Sequence, residues 1–243
     1  MSAGLILINE SGAIQIDEKY ASIGLIQSGS LLIKTIKHNN WTPSAGTDEH
    51  GATITVAAKF PLLALAGDYF CGIKSTKNNG DGTWTFQVCT EPAAGGQNIP
   101  YYIFDNATLV ADEGCGLIVR NVDNELVFVN SQKPMRLVDI VSGTLPANWS
   151  SASGNNQQTW TYPAGSNYAY MPLTTAYRYM WAFADSGPYE SWSETFYGAK
   201  AVTNGIQAQR TNLLSLFGSN HDSQVGDFEL RGYRFLVFDV TNY

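Results

Sequence analysis

One stretch near the start of the chain is written twice. Gly4-Leu5-Ile6-Leu7-Ile8-Asn9-Glu10-Ser11-Gly12-Ala13-Ile14-Gln15-Ile16 returns in looser form as Gly116-Leu117-Ile118-Val119-Arg120-Asn121-Val122-Asp123-Asn124-Glu125-Leu126-Val127-Phe128. Each copy is a β-branched run, a polar turn and a second apolar run, which is the pattern of a β-hairpin. A repeated hairpin constrains architecture and says nothing of catalysis.

The rest of the chain keeps the same texture. Short apolar runs at 4–8, 13–16, 23–27, 30–36, 53–59, 69–75, 83–90, 100–104 and 132–141 are bounded by Gly, Pro, Asn or Asp, as strands are. Residues 38–51 are expected to form a polar loop. No window sustains helical spacing for three turns; the nearest, 204–217, aligns Ile206, Leu213, Leu214 and Phe217 but is interrupted by Thr and Asn. Residues 143–158 hold Gly143, Pro146 and a Ser/Asn/Gln-rich run, which predicts a linker or long surface loop. A chain of 243 residues exceeds the usual domain of roughly 100–150. The expected fold is therefore all-β in two sandwich or jelly-roll-like domains, residues 1–142 around the two hairpin copies and residues 143–243 beyond them.

Charge narrows the function classes. Only 14% of residues are charged, against about 25% in typical soluble domains, so the surface is polar without being ionic and suits assembly contacts. The net charge is −7 and the Lys and Arg residues are scattered singly, which excludes the basic stripe a nucleic-acid groove needs and disfavours acidic membrane surfaces. The longest apolar stretch, residues 60–66, is far shorter than a bilayer span and contains Pro61. Met1-Ser2-Ala3-Gly4 has no cationic segment before its apolar run, so no secretory signal is expected.

Three cysteines, Cys71, Cys89 and Cys115, form no CxxC spacing. Cys71 and Cys89 are equidistant from Gly80 in the turn-forming stretch 78–82, so a hairpin there sets them nearly opposite one another. They are either two buried thiols acting as small apolar residues or a disulfide formed after release into an oxidising medium.

Aromatic residues concentrate between 149 and 197, where four of the six tryptophans and seven of the thirteen tyrosines fall. Tyr and Trp supply rigid area with a polar handle, as glycan platforms and protein paratopes do. Trp149, Trp160, Tyr162, Tyr168, Tyr170, Tyr177, Tyr179, Trp181, Tyr189 and Trp192 are accordingly the candidate binding residues. Tyr168/Tyr170 and Tyr177/Tyr179/Trp181 run at period two, so each set points to one side of a strand. The cluster is the core of the second domain, a buried subunit face or an exposed ligand surface; the pattern allows all three.

Signatures of catalysis are missing. The chain has no GxSxG elbow, P-loop, HExxH or GxGxxG opening a helix, and His38, His50 and His221 lie far apart. Ser219-Asn220-His221-Asp222 holds triad residue types, but sequence neighbours do not face one another as nucleophile, base and orienter. Glu190 and Glu194 on one strand face would stand about 13 Å apart, too far for a glycosidase pair, and are expected to be solvated. Asp48-Glu49-His50 and Asn79-Gly80-Asp81-Gly82 lack the ligand count of a metal loop and predict turns. No enzyme, metal or cofactor is expected.

The opening Gly-Leu-x-x-x-Asn-x-x-Gly-x-x-x-Ile-Asp (Gly4 to Asp17), followed by Tyr101-Tyr102-Ile103-Phe104-Asp105, Gly116-Leu117-Ile118-Val119 and Lys133-Pro134-Met135-Arg136-Leu137-Val138-Asp139, resembles the small β-rich minor tail or tail-fibre proteins of tailed bacteriophages and prophages. The resemblance covers residues 1–142. It implies a virion component near the tail tip, assembled in the bacterial cytoplasm, contacting other tail proteins and present in several copies, a trimer among the arrangements. Its second part would meet a host-surface glycan or protein. The competing readings are a free carbohydrate-binding module and, further off, a glycan hydrolase whose acids come from separate strands.

Overall fold

The computed structural model describes residues 6–8, 14–17, 22–36, 42–106, 117–129, 131–147, 149, 156–183, 190–219 and 226–243. Strands account for nearly all of the regular structure there, and the one helical element is the 3-10 turn Pro92–Ala94. The first half of the chain supplies β1 (Ile6–Ile8), β2 (Ile14–Asp17), β3 (Ile23–Leu32), β4 (Lys34–Ile36), β5 (Thr42–Thr47), β6 (Glu49–Ala57), β7 (Leu62–Leu65), β8 (Cys71–Asn78), β9 (Thr83–Thr90) and β10 (Asn98–Asn106). The second supplies β11 (Ile118–Arg120), β12 (Leu126–Val129), β13 (Leu137–Thr144), β14 (Gln158–Thr161), β15 (Tyr168–Thr174), β16 (Tyr177–Phe183), β17 (Glu190–Val202), β18 (Gly205–Ser219), β19 (Gly226–Leu230) and β20 (Gly232–Asp239).

The repeated sequence folds as the predicted hairpin both times, and in one register. In β1–β2, Ile6 faces Asp17, Leu7 faces Ile16 and Ile8 faces Ile14; in β11–β12, Ile118 faces Val129, Val119 faces Phe128 and Arg120 faces Leu126. Every pair recurs 112 positions on, including the bulge that leaves Gln15 and then Val127 unopposed. The duplication continues past the hairpins. Leu25 faces Phe104 in β3–β10 and Leu137 faces Phe238 in β13–β20, each beside a register shift that skips Ile26 and Val138, again 112 apart.

The six-stranded sheet has the order β13-β20-β15-β7-β10-β3, so the two halves meet at its centre, where Leu65 of β7 faces Tyr170 of β15. The second sheet carries β14-β18-β17-β8-β9-β6-β4 along its main path and is likewise joined between halves, Cys71 of β8 facing Ala199 of β17. Read outward from each centre, counterparts follow in the same order. All of these pairs are antiparallel. A boundary at residue 142 falls inside β13, and each sheet joins a block of strands from one half to a block from the other. Strands built alike can bury one another's faces, and here the duplicated halves close a single core instead of two small ones.

That core lies between the two sheets. Leu63, Leu65, Phe86, Ile99, Ile103, Tyr170, Tyr197 and Phe235 are buried in one cluster drawn from both. The outer face of the six-stranded sheet has its own cluster, in which Ala64 and Ala169 leave room for Phe104 and Phe238. The halves also trade short segments: Leu25 N–H donates to Lys133 O and Met135 N–H to Ile23 O, so residues 133–135 cover the start of the edge strand β3.

Two expected loops differ. Residues 38–51 contain β5 and the start of β6, because Thr42 to Thr47 pair with the end of β18. The described part of 143–158 is no linker either, since Leu145 and Trp149 are buried in the core.

Candidate functional site

The duplicated frame makes the additions to it visible. Apart from the short β4, the strands with no counterpart in the other half are β5, β16 and β19, and β17 and β18 run past the ends of their counterparts β8 and β9. These additions converge. β16 pairs with Glu190 to Phe196 of β17, β19 pairs with β16, and β5 pairs with Ser215 to Ser219 of β18. Together they make one run, β19-β16-β17-β18-β5, continuous with the second sheet. Among the described residues no side chain of β5, β16 or β19 belongs to the central core, which makes these added strands the place to look for function.

Where this run joins the frame, three bulges occur together. The register slips between Ile73 and Ser75, leaving Lys74 unopposed; Leu173 is skipped between Pro172 and Thr174; and Leu213 is skipped in β18. A bulge re-aims a side chain that regular alternation would send to the other face. Lys74 and Leu173 line a cavity of about 540 Å³, whose walls are residues 73–76 of β8 and 172–175 at the end of β15, with Tyr177, Phe196 and Leu230 behind. Leu213 packs beneath, against Phe196 and Cys89. Gly72 fits here because a Cβ would meet the Phe196 ring at 3.0 Å.

Lys74 is the electrostatic centre of the cavity. Its Nζ donates to Glu49 Oε2 at 2.9 Å and to Glu194 Oε2 at 3.3 Å, and both glutamates are only 4% exposed. Burial alone would lower the lysine's pKa; the hydrogen bonds and charges of the two glutamates outweigh it and hold the ammonium above its usual range. Burial and then Glu194 push the Tyr177 phenol up, and burial followed by the Glu49 charge pushes the Cys89 thiol up to about 12. The arrangement keeps a lysine charged and a thiol and a phenol protonated. It is suited to holding a ligand, since a nucleophile needs the opposite shifts.

No protein-family model, curated protein or solved structure matches the chain. The site therefore has to be read from its own groups. Among the described residues no cluster of three or more His, Cys, Asp or Glu side chains could hold a metal ion.

The candidate aromatics divide. Trp149, Tyr168 and Tyr170 are buried in the core between the sheets, with Tyr168 at the wall of a separate cavity beside Ala66 and Ala201; Trp160 and Tyr162 pack on the core's margin. Tyr168 and Tyr170 do share one side of β15, as their spacing predicts. Tyr177 and Tyr179 lie on β16 among the inserted strands, and Tyr177 enters the cavity. Trp181 and Trp192 face one another in the β16–β17 register, while Tyr189 lies outside the described residues, as do His38, Cys115 and His221.

Three other expectations are corrected. Glu194 is not a solvated acid but a buried partner of Lys74, and Glu49 sits in β6 rather than a turn. Cys71 and Cys89 do flank a turn at Gly80, whose φ is 81°, yet the bulge at Lys74 shifts the register so that Cys89 faces Gly72. Cys71 enters the core between the sheets, Cys89 packs with Phe196 and Leu213 beneath the cavity, and both thiols are free. By contrast Asn79 to Gly82 is a turn as predicted, with Asp81 Oδ1 accepting from Thr83 N at 3.0 Å.

The sequence reading missed the Lys74 cluster, because its three charges come from strands distant in the chain. It also missed a second trace of duplication that was legible: Ile103-Phe104-Asp105 is repeated as Val237-Phe238-Asp239.

Proposed function

We propose that this chain is a non-catalytic structural component of a tailed-phage tail, assembled with other tail proteins and with copies of itself. The observation that carries the reading is the edge strand β13, which no described strand pairs on its outer side and where Leu137, Val138 and Ile140 are 46%, 39% and 55% exposed. A long apolar edge is a hazard in a free monomer and a joint in an assembly, since unpaired backbone groups and apolar side chains invite strand addition. The low proportion of charged residues and the resemblance of the first 142 residues to minor tail proteins support the same reading. In this reading the frame anchors the chain and the inserted strands β5, β16 and β19 are turned to a host surface or a neighbouring tail protein.

Antibody raised against residues 143–243 and imaged on purified particles by negative stain tests it. Label at the distal tail is expected; label on the head, or particles without the chain, overturns the reading. Light scattering of the purified chain should give a multimer.

A further inference from the structure

We propose that the cavity between the frame and the inserted strands binds an uncharged sugar residue. The cavity is a built feature. Two of its lining residues, Lys74 and Leu173, are bulge residues, and a third bulge residue, Leu213, supports its floor. Its volume of about 540 Å³ falls within the roughly 300–1,000 Å³ of small-molecule sites.

Its chemistry selects the ligand class. Two of the three Lys74 donors are taken by Glu49 and Glu194, and the third has no partner among the described residues. With the hydroxyls of Thr76, Thr174, Thr175 and Tyr177 the cavity offers several donors and acceptors, which is what a polyhydroxylated ligand uses. Leu173 and Leu230, 45% and 46% exposed, line the same space and supply apolar contact for the C–H face of a sugar ring.

Charge excludes the alternatives. The Lys74 ammonium is already paired with two carboxylates, so a phosphate or uronate would gain little from it. A cationic ligand gains little, because both carboxylates lie buried beneath the lysine and are already bonded to it.

The test is saturation-transfer NMR and titration calorimetry of the full chain with neutral disaccharides (maltose, lactose, cellobiose, chitobiose) and acidic ones (a hyaluronan disaccharide, sialyllactose). At least one neutral sugar is expected to bind, and to lose about tenfold or more in affinity in Thr76→Trp and Thr174→Trp. Both threonines are exposed, so each tryptophan fills the cavity without entering the core; circular dichroism confirms the fold of each variant. Absence of neutral-sugar binding at about 10 mM overturns the assignment. Binding unchanged in both folded variants, or binding of acidic sugars alone, does so equally. Sugar binding by the purified chain and its place on a particle are separate readouts, so this inference and the tail assignment fail independently.

Discussion

Phe104 and Phe238 hold equivalent places in the two halves of the chain, and their rings meet on the outer face of the six-stranded sheet, centroids 5.4 Å apart and planes 33° from parallel. Both are fully buried, over the small Ala64 and Ala169. The contact joins the halves outside the main core. Phe104→Leu and Phe238→Leu should each cost about 1–2 kcal/mol, read from urea unfolding. Because the rings touch, the double variant should lose measurably less than the sum. Strict additivity would show that the halves are not coupled through this pair.

The repeated Phe-Asp does not carry the same load twice. Asp105, almost wholly buried, accepts Lys59 N at 2.6 Å and Phe60 N at 3.0 Å on separate oxygens and so fixes the turn between β6 and β7. Its counterpart Asp239 accepts Thr241 N at 2.9 Å in a more open setting. An amide nitrogen at position 105 would face a backbone donor, so Asp105→Asn should cost about 1.5–3 kcal/mol, and Asp239→Asn no more than about 1. Equal shifts in denaturation midpoint would contradict this.

Alkali should unfold the protein early. Lys74 has a folded pKa above its unfolded value, so its stabilisation is complete below about pH 10.4 and is lost as pH rises through the folded value. Tyr170, Tyr177 and Tyr197 are raised by burial, so the unfolded chain releases protons from about pH 10 while the folded one retains them. Both effects have one sign. Unfolding free energy should be level up to about pH 9.5 and fall steeply above 10; a level profile to pH 11 would show these groups unshifted.

The two described thiols should be silent in the native protein. In a Cys115→Ser background, a thiol reagent at pH 8 should modify neither Cys71 nor Cys89 until denaturant is added, and then both, since burial keeps each protonated and out of reach. Mass spectrometry after mild oxidation should find no intrachain disulfide. A bond formed without unfolding would mean that the bulge at Lys74 does not hold the two on opposite faces.

Local pattern was a good guide where a property belongs to one stretch of chain. Period-two apolarity gave strands along almost the whole length, Gly80 marked its turn, and the doubled opening marked two hairpins of one register. What it could not show was partnership. The break at residue 142 followed a change in texture, yet β13 and β20 pair across most of the second half, and β7 meets β15 from the first.

Facing was equally hidden. The spacing of Cys71 and Cys89 about Gly80 is right for a regular hairpin, but one extra residue, Lys74, sends them to opposite sides of the sheet. The same slip gathers Glu49 and Glu194, 145 positions apart, around one ammonium. The sequence by itself determined that the chain is all-β and duplicated, because alternation and turn residues act on neighbours. Only the tertiary structure decided which strands meet, which acids are buried and where a cavity opens, because those depend on long-range pairing and on single-residue register shifts that no local pattern records.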